Sequence, residues 1–593
     1  MVASIDKTKK VVYVCSGSGC TAAKSQEIID IMQNELLELG CDVEIIKTGC
    51  FGICSKGPMM VTEPDGSFYV KLSTENAARI AKEHLHEGNP VKQFLYRVGR
   101  DIISLDNADF YKSQERVALK RSGKIDPKDI DAYIADNGFL ALEKTFKMGA
   151  SDTINLIKES GLKGRGGGGF LTGEKWEIAG LTPADKRYII CNADEGDPGS
   201  FMDRAIIEGD PFSIIEALTI AAYAVNSNQG YIYIRPEYSL AIELLKNAIN
   251  LSTEKGYLGD NILGSGFDFS IEIRYGAGTF VGGEETAIIN TLEGKRGVPN
   301  IRATHPSREG LFGYPTIINN VETLTNVPKI IAQGADWYRS FGSKESAGTK
   351  IFGVSGNIAN IGLVEVPFGT TIRELIDMCG GIPRGRALKA VHIGGPSGGT
   401  IPASLIDTPL EYEKIRELGA MIGSGDFIVL DERKCMVHFA KFFMEFLAEE
   451  SCGKCSPCRI GVMRMKEILT KICEGQASMK DLAELEELTD MVSELSMCGL
   501  GKEAPNPVTS TLKYFRDEYI AHIEGHKCQA GECEKLTTLV IENNCIGCTK
   551  CAQVCPVAAI SGDPRSIHIL DPEVCINCNS CVEACPVDAI RTA

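Results

Sequence analysis

No stretch of this chain is apolar for long enough to span a bilayer, and the opening residues Met1-Val2-Ala3-Ser4-Ile5-Asp6-Lys7 contain no signal-peptide core. Direct membrane insertion and export are therefore not expected. The reading is a cytoplasmic protein that reaches a membrane only through partners. Positive charge is also short. Sixty-two Lys and Arg face 79 Asp and Glu, a formal net charge of −17, which argues against nucleic acid as a partner. A disulfide scaffold does not fit either: the 23 cysteines are clustered, long cysteine-poor stretches separate the clusters, and the chain is far longer than such scaffolds. That distribution points to metal sites in a reducing compartment. At 593 residues the chain holds several domains.

What is abundant is glycine, and it concentrates in Gly161-Leu162-Lys163-Gly164-Arg165-Gly166-Gly167-Gly168-Gly169-Phe170-Leu171-Thr172-Gly173-Glu174-Lys175-Trp176. Without Cβ atoms the backbone can approach a ligand, and its amides can turn toward an anion. Arg165 and Lys175 add positive charge. The Walker form fails, because Gly173 is followed by Glu174 rather than lysine. The reading is a phosphate-bearing cofactor over Gly164, Arg165, Gly166, Gly167 and Lys175; the competing one is a Gly-rich linker. An apolar strand, Tyr188-Ile189-Ile190-Cys191, then delivers Asn192, Asp194 and Glu195 at its carboxyl end, where open α/β sheets bind ligands. Gly276–Thr286 contributes Phe280, Gly283, Glu284 and Glu285, and an apolar strand before Val321 contributes Asn319 and Asn320.

Four cysteine groups have ligand spacing. Cys15-x4-Cys20 and Cys50-x3-Cys54 each follow a strand, so four thiolates can converge on one soft metal centre. The Cys-x-x-Cys of a thioredoxin-type redox pair is absent there. Cys452-x2-Cys455-x2-Cys458 with remote Cys498 suits a [4Fe–4S] cubane, with Zn(Cys)4 as competitor. Cys545-x2-Cys548-x2-Cys551-x3-Cys555-Pro556 repeats as Cys575-x2-Cys578-x2-Cys581-x3-Cys585-Pro586. In such double runs the fourth cysteine serves the other cluster, so Cys585 joins Cys545, Cys548 and Cys551, and Cys555 joins Cys575, Cys578 and Cys581. Finally, His522, Cys528 and Cys533 suggest a structural zinc site, with His526 or Cys473 as fourth ligand and a [2Fe–2S] centre as the alternative. Cys41, Cys379 and Cys435 read as ordinary buried thiols.

Together, Gly-Arg-Gly-Gly-x-Gly-Phe-x-Thr-Gly-x-Lys-Trp, Cys-Asn-x-Asp-Glu-Gly-Asp-Pro-Gly, Gly-Glu-Glu-Thr-Ala and Asn-Asn-Val-Glu-Thr resemble the flavoprotein subunit of respiratory complex I and the diaphorase subunits of NAD-linked hydrogenases and formate dehydrogenases. The resemblance runs from about residue 100 to 525. It implies FMN on Gly164, Gly166, Lys175, Asn192, Asp194, Gly283, Asn319, Asn320 and Thr323. It also implies a nicotinamide nucleotide near Phe170, Glu195, Glu284 and Glu285, with Glu195 and Phe170 taking part in the hydride chemistry. Two departures stand out. Ile301-Arg302-Ala303-Thr304-His305-Pro306 replaces the family's Lys-Pro-Pro-Phe-Pro, which puts His305 where an aromatic is usual, and Leu171 replaces a proline.

The expected architecture is α/β and multidomain. Residues 1–90 resemble the thioredoxin-like [2Fe–2S] ferredoxin, with Ile28, Ile29, Met32, Leu36 and Leu37 on the apolar face of its helix. Residues 91–150 form a helical connector, with a helix capped at Asp126-Pro127; 151–345 a Rossmann-like FMN and NAD(H) domain; 346–432 a β-grasp domain of the SLBB type. Residues 433–525 form a helical [4Fe–4S] domain in which Val437, Phe442, Phe443 and Phe446 line one helix face. Residues 526–539 are a His/Cys linker, and 540–593 a ferredoxin domain with two [4Fe–4S] clusters. The cofactors implied are FMN, NAD(H) or NADP(H) as substrate, one [2Fe–2S], three [4Fe–4S] and zinc. A flavin takes two electrons as hydride and passes them on singly, so the chain reads as the diaphorase subunit of an electron-bifurcating complex. Ferredoxin and a third couple would be its partners, through a small [2Fe–2S] protein and a hydrogenase, formate dehydrogenase or second flavoprotein. No hydrogenase or molybdopterin site is legible here. The alternatives are an electron-transfer scaffold without nucleotide chemistry and an ordinary respiratory subunit.

Overall fold

The computed structural model describes residues 10–301 and 304–592. The opening residues Met1–Lys7 and the pair Arg302-Ala303 lie outside them. The chain divides into two compact units. The first runs to Pro383 and includes Ile406–Glu417 and Ile422–Ile428; the second comprises Arg384–Leu405, Leu418–Met421 and Val429–Ala593.

The first unit begins with a four-stranded sheet in the order Glu44–Thr48, Val11–Cys15, Met60–Glu63, Phe68–Tyr69. The first pair is parallel and the rest antiparallel. The helix Ser25–Glu38 covers it with Ile28, Ile29, Met32 and Leu36, all buried. Leu37, expected on the same face, is 80% exposed, because one residue past Leu36 the helix has turned about 100° away from the core. Residues 91–150 follow as short helices. The helix Ile130–Ala135 is capped by Asp129, which accepts from the amides of Asp131 and Ala132. The cap thus lies about one turn beyond Asp126-Pro127, where the sequence pattern suggests it.

The flavin-type domain is a parallel sheet ordered Thr316–Asn320, Tyr188–Ala193, Gln229–Ile234, Ser270–Tyr275. The chain lays down three strands in one direction and then returns to the other side of the first. The switch point thus falls between Tyr188–Ala193 and Thr316–Asn320, where the register pairs Asn320 with Asn192. Loops at such a point diverge and leave a crevice. Behind the sheet, Pro211–Val225 is buried at every residue except Tyr223. It is predominantly apolar, as a central helix must be, its buried Glu216 accepting from Tyr133 Oη and the Leu142 amide, with Pro211 at its first position and left-handed Asn226 ending it.

The second unit is mainly helical. Met436–Glu450, Ser456–Cys473, Met479–Leu495 and Asn506–Ile523 pack together. Val437 and Phe443 of the first helix are buried, whereas Phe442, expected on the same face, is 48% exposed. The C-terminal part repeats itself at an offset of thirty residues: left-handed Thr549 and Ala558 in the first half answer to Asn579 and Asp588 in the second. Leu539–Ile541 pairs with Ile590–Thr592 and closes the two halves.

Candidate functional site

The glycine loop sits at the switch point. Gly164 donates its amide to Phe170 O at 2.8 Å, and Tyr412 Oη donates to Gly164 O at 2.8 Å, so the loop is pinned at its base. A Cβ on Gly166 would lie 2.9 Å from Asn320 Cβ, and Gly167 has φ +120°, so neither position tolerates a side chain. Around Gly168 an added Cβ would meet nothing within 4 Å. Arg165 departs from its expected place. Its guanidinium is buried and donates to Thr349 O, Lys163 O, Ala347 O and Tyr338 Oη. Only its backbone, bonded to Thr323 Oγ1 at 2.8 Å, remains with the loop.

The polar residues from the strand ends converge. Lys175 Nζ donates to Ile318 O at 2.9 Å and Glu285 Oε1 at 2.7 Å. Trp176 Nε1 donates to Asn319 Oδ1, and Asn192 Nδ2 to Gly283 O, both at 2.9 Å. Gly276, Gly282 and Gly283 crowd Asp194, leaving no room for Cβ atoms, and Arg235 Nη1 lies 3.4 Å from its Oδ1. Asn320 Nδ2 reaches Asp203 Oδ2 at 2.6 Å. A backbone cradle at a switch point, one buried lysine and a ring of amides match what a flavin phosphate and sugar require.

Two expected acids also cap helices. Glu284 accepts from the amides of Thr286 and Ala287 at the start of Glu285–Leu292. Glu195 accepts from the amides of Asp203 and Arg204 at the start of Met202–Gly209. Burial raises the pKa of both. Phe170, 43% exposed, lies against His305 with ring centres 5.6 Å apart and planes within 21°. Ser307 N–H donates to His305 Nδ1 at 3.3 Å, so Nε2 carries the proton, facing Glu285 Oε2 at 3.9 Å. Burial lowers the pKa of His305, so the ring is neutral near pH 7. Phe280 packs against Gly196.

Motif reading missed the acids behind the loop. The buried Asp203, Glu322, Lys350 and Asp426 form one network with the half-buried Asp197 and Ser424, and a Cβ on Gly167 would lie 3.7 Å from Gly423 Cα. Asp197 and Glu322 stand in recognised motifs but were given no role there; the others carry no local signal.

The thiols group as follows. Cys50 Sγ and Cys54 Sγ lie 3.7 Å apart, and Cys15 and Cys20 flank them from the end of the first strand and from the short helix Ser18–Ala22 after it. Cys455 and Cys498 each precede a helix, at Ser456 and Gly499, and Gly501 brings the second turn to Cys458. Cys555 lines one small cavity with Cys575, Cys578 and Cys581, the crossed grouping expected from spacing. The amides of Ala559 and Ala589 donate to Cys555 and Cys585 Sγ, both at 3.2 Å.

The His/Cys group needs a correction. Its fourth member is Cys435, which by sequence reads as an ordinary core thiol. The ligand atoms of Cys435, His522, Cys528 and Cys533 all lie within 4.8 Å of one another, and all four residues are buried. Cys435 Sγ is 3.3 Å from His522 Nε2 and 3.8 Å from Cys533 Sγ. His522 Nδ1 is 2.7 Å from Glu518 O, which fixes Nδ1 as the protonated nitrogen and leaves the Nε2 lone pair facing the thiols. His526 is exposed; Cys473 neighbours Cys533 and stands outside the four.

The fold and this site define an FMN-binding, iron–sulfur oxidoreductase subunit acting on NAD(P)H. Residues 157–329 match the Nuo51 FMN-binding domain and 351–401 the SLBB domain. Residues 438–522 match the NADH-ubiquinone oxidoreductase-F iron-sulfur binding region, and 538–592 the 4Fe-4S dicluster domain. The HndC subunit of the NADP-reducing hydrogenase of Solidesulfovibrio fructosivorans is 49% identical over 77% of this chain and 94% of its own length. An NADH-quinone oxidoreductase subunit of Rhizobium meliloti is 42% identical over 70% of this chain and 99% of its own. An NAD+-reducing [NiFe]-hydrogenase structure superposes with TM-score 0.62 at 27% identity, covering 87% of this chain and 84% of that one. The chain belongs to this family of complex I and hydrogenase flavoprotein subunits, and is of the same type as HndC and its NADH-quinone oxidoreductase counterparts.

Proposed function

We propose that the chain exchanges hydride with NADH or NADPH at an FMN held by the glycine loop and distributes single electrons to four iron–sulfur clusters, within a complex that couples the nucleotide to ferredoxin and a third redox couple. FMN, when bound, accepts two electrons as hydride and releases them one at a time. The residues of this chain do the holding. Lys175, Gly164, Gly166, Gly167, Asn192, Asp194, Gly283, Asn319, Asn320 and Thr323 take the flavin. Phe170 and His305 offer a flat face to the nucleotide beside Glu195 and Glu285. The clusters follow the cysteine groups above: one [2Fe–2S] on Cys15, Cys20, Cys50 and Cys54, and three [4Fe–4S]. Zinc suits the Cys3His group, whose closed, four-ligand set is that of a structural site.

The C-terminal repeat carries the coupling reading. A flavin and one cubane suffice for a linear chain; two further cubanes give electrons a second exit. The Rhizobium meliloti protein is matched over nearly its whole length, yet leaves the rest of this chain without counterpart. Names among the relatives support a hydrogenase as the terminal partner. Deleting residues 536–593 tests the reading. NADH–dye reduction should persist, while ferredoxin turnover in the assembled complex should stop. Ferredoxin turnover at the wild-type rate would remove the coupling function from the tail.

A further inference from the structure

The N-terminal cysteine loops are built into the flavin-type domain, and one acid holds them there. Ser18 lies between Cys15 and Cys20. Its amide donates to Glu208 Oε2 at 2.8 Å, and its hydroxyl donates to Glu208 Oε1, so both carboxylate oxygens are spent on one residue of the loop. Glu208 is 3% exposed, and the nearest cation, Arg204, keeps its Nε 3.9 Å away. Next to it, backbone meets backbone: a Cβ on Gly49 would fall 2.3 Å from Gly209 Cα, and one on Gly17 3.2 Å from Glu208 Oε2. The second cysteine loop is fixed as firmly. Tyr111 Oη donates to Phe51 O at 2.8 Å, Leu363 N to Gly52 O at 2.7 Å, and Ser55 N to Ile361 O at 3.1 Å.

Glu208 and Gly209 end the helix Met202–Gly209, whose first turn is capped by Glu195 and whose Asp203 holds Asn320. Eight residues at 1.5 Å each make about 12 Å. One rigid two-turn helix therefore joins the nucleotide-side acid to the loop between two cluster ligands.

We propose that Glu208 is a positioning residue for electron transfer: by clamping Ser18 it seats the N-terminal cluster loop on the end of this helix, at a spacing the helix sets from the flavin site. The proposal rests on the [2Fe–2S] reading of Cys15, Cys20, Cys50 and Cys54. A buried carboxylate is costly to retain unless hydrogen-bonded, and here its bonds reach across 190 residues of sequence to the loop between two of the cysteines.

The test uses the full chain with its clusters. Glu208→Ala removes both acceptors. Glu208→Gln keeps an oxygen for the Ser18 amide and offers an NH2 to its hydroxyl. Gly49→Ala drives a methyl into Gly209 and to 3.1 Å from the Glu208 backbone carbonyl, while leaving the Glu208 carboxylate itself unaltered. Three quantities are read: iron content, NADH–dye reduction, and the rate at which NADH raises the [2Fe–2S] EPR signal in freeze-quenched samples. Glu208→Ala and Gly49→Ala should keep iron and dye activity while slowing the EPR rise at least about tenfold, as misplacement on the scale of an ångström does to a fixed reaction geometry. Glu208→Gln should restore most of the rate. Amide exchange at Ser18 should quicken most in Glu208→Ala, the one variant that removes the acceptor of that amide. Wild-type EPR kinetics in Glu208→Ala would overturn the positioning role even if Ser18 exchanges faster. A dithionite-reduced wild type with no [2Fe–2S] signal would instead overturn the cluster reading, and the proposal with it.

Discussion

Asp197 and Asp426 face one hydroxyl. Ser424 Oγ lies within hydrogen-bonding reach of Asp197 Oδ2 and 3.0 Å from Asp426 Oδ2, while Ser200 Oγ approaches Asp426 Oδ2 at 3.2 Å. Two hydroxyl protons cannot satisfy two buried carboxylates, and like charges so placed favour keeping one proton between them. Burial raises the pKa of each; for Asp426 the neighbouring Asp197 charge adds to it.

Each group's folded pKa lies above its unfolded value near 4, so its stabilising contribution is complete below about pH 4 and is lost as pH rises through the raised folded value. Glu195 faces the same pair, and Lys350 approaches it only through Ser424 O. Thermal stability of the wild type should therefore fall as pH rises above about 4, and Asp426→Asn should flatten the decline. Parallel curves for the two proteins would show that the pair does not share a proton.

Gly167→Glu should release FMN and leave the cluster signals. The residue sits at φ +120° against Gly423, and glutamate adds both strain and a negative charge to a phosphate cradle. Flavin fluorescence in the filtrate after gel filtration reads the loss. Stoichiometric FMN with full NADH–dye activity in this variant would mean that the phosphate lies elsewhere.

Phe170→Ala should raise the KM for NADH by about twofold to tenfold, the worth of one aromatic contact of about 0.5–1.5 kcal/mol. The stacked geometry with His305 motivates it. Steady-state kinetics with a dye acceptor separate this from a fall in kcat, which would assign Phe170 to the hydride step itself.

Cys435→Ser should lower zinc from about one per chain and loosen the C-terminal repeat, because closed Cys/His sites stabilise the segments they join. Metal analysis and limited proteolysis read the two effects. Every EPR-active centre should survive; loss of one would make the group a redox site.

Lys350→Met should destabilise the first unit by about 3–5 kcal/mol, the cost of leaving a buried partner charge unpaired. Lys350 is fully buried, bonded to Glu322 Oε2, Ile351 O and Ser424 O. Chemical denaturation measures it, and Lys350→Met paired with Glu322→Gln should recover part of the loss.

The sequence alone marked the candidate ligands wherever they lie close along the chain. The double Cys-x2-Cys-x2-Cys-x3-Cys run, the glycine loop and the amides following apolar strands are local patterns, and short loops must bring such residues together. Spacing also yielded the crossed grouping of Cys555 with Cys575, Cys578 and Cys581. What tertiary structure alone decided are the partnerships across long separations. Cys435 stands 87 residues before His522, with no spacing to mark it. Arg165 looks like a phosphate ligand in its motif, yet turns inward because the interior supplies four acceptors for its guanidinium. Ser18 meets Glu208, and Asp197 meets Asp426, only because helices and strands of fixed length carry them to the same place. Periodicity records which face of an element is buried; it holds no record of which other element will lie against that face.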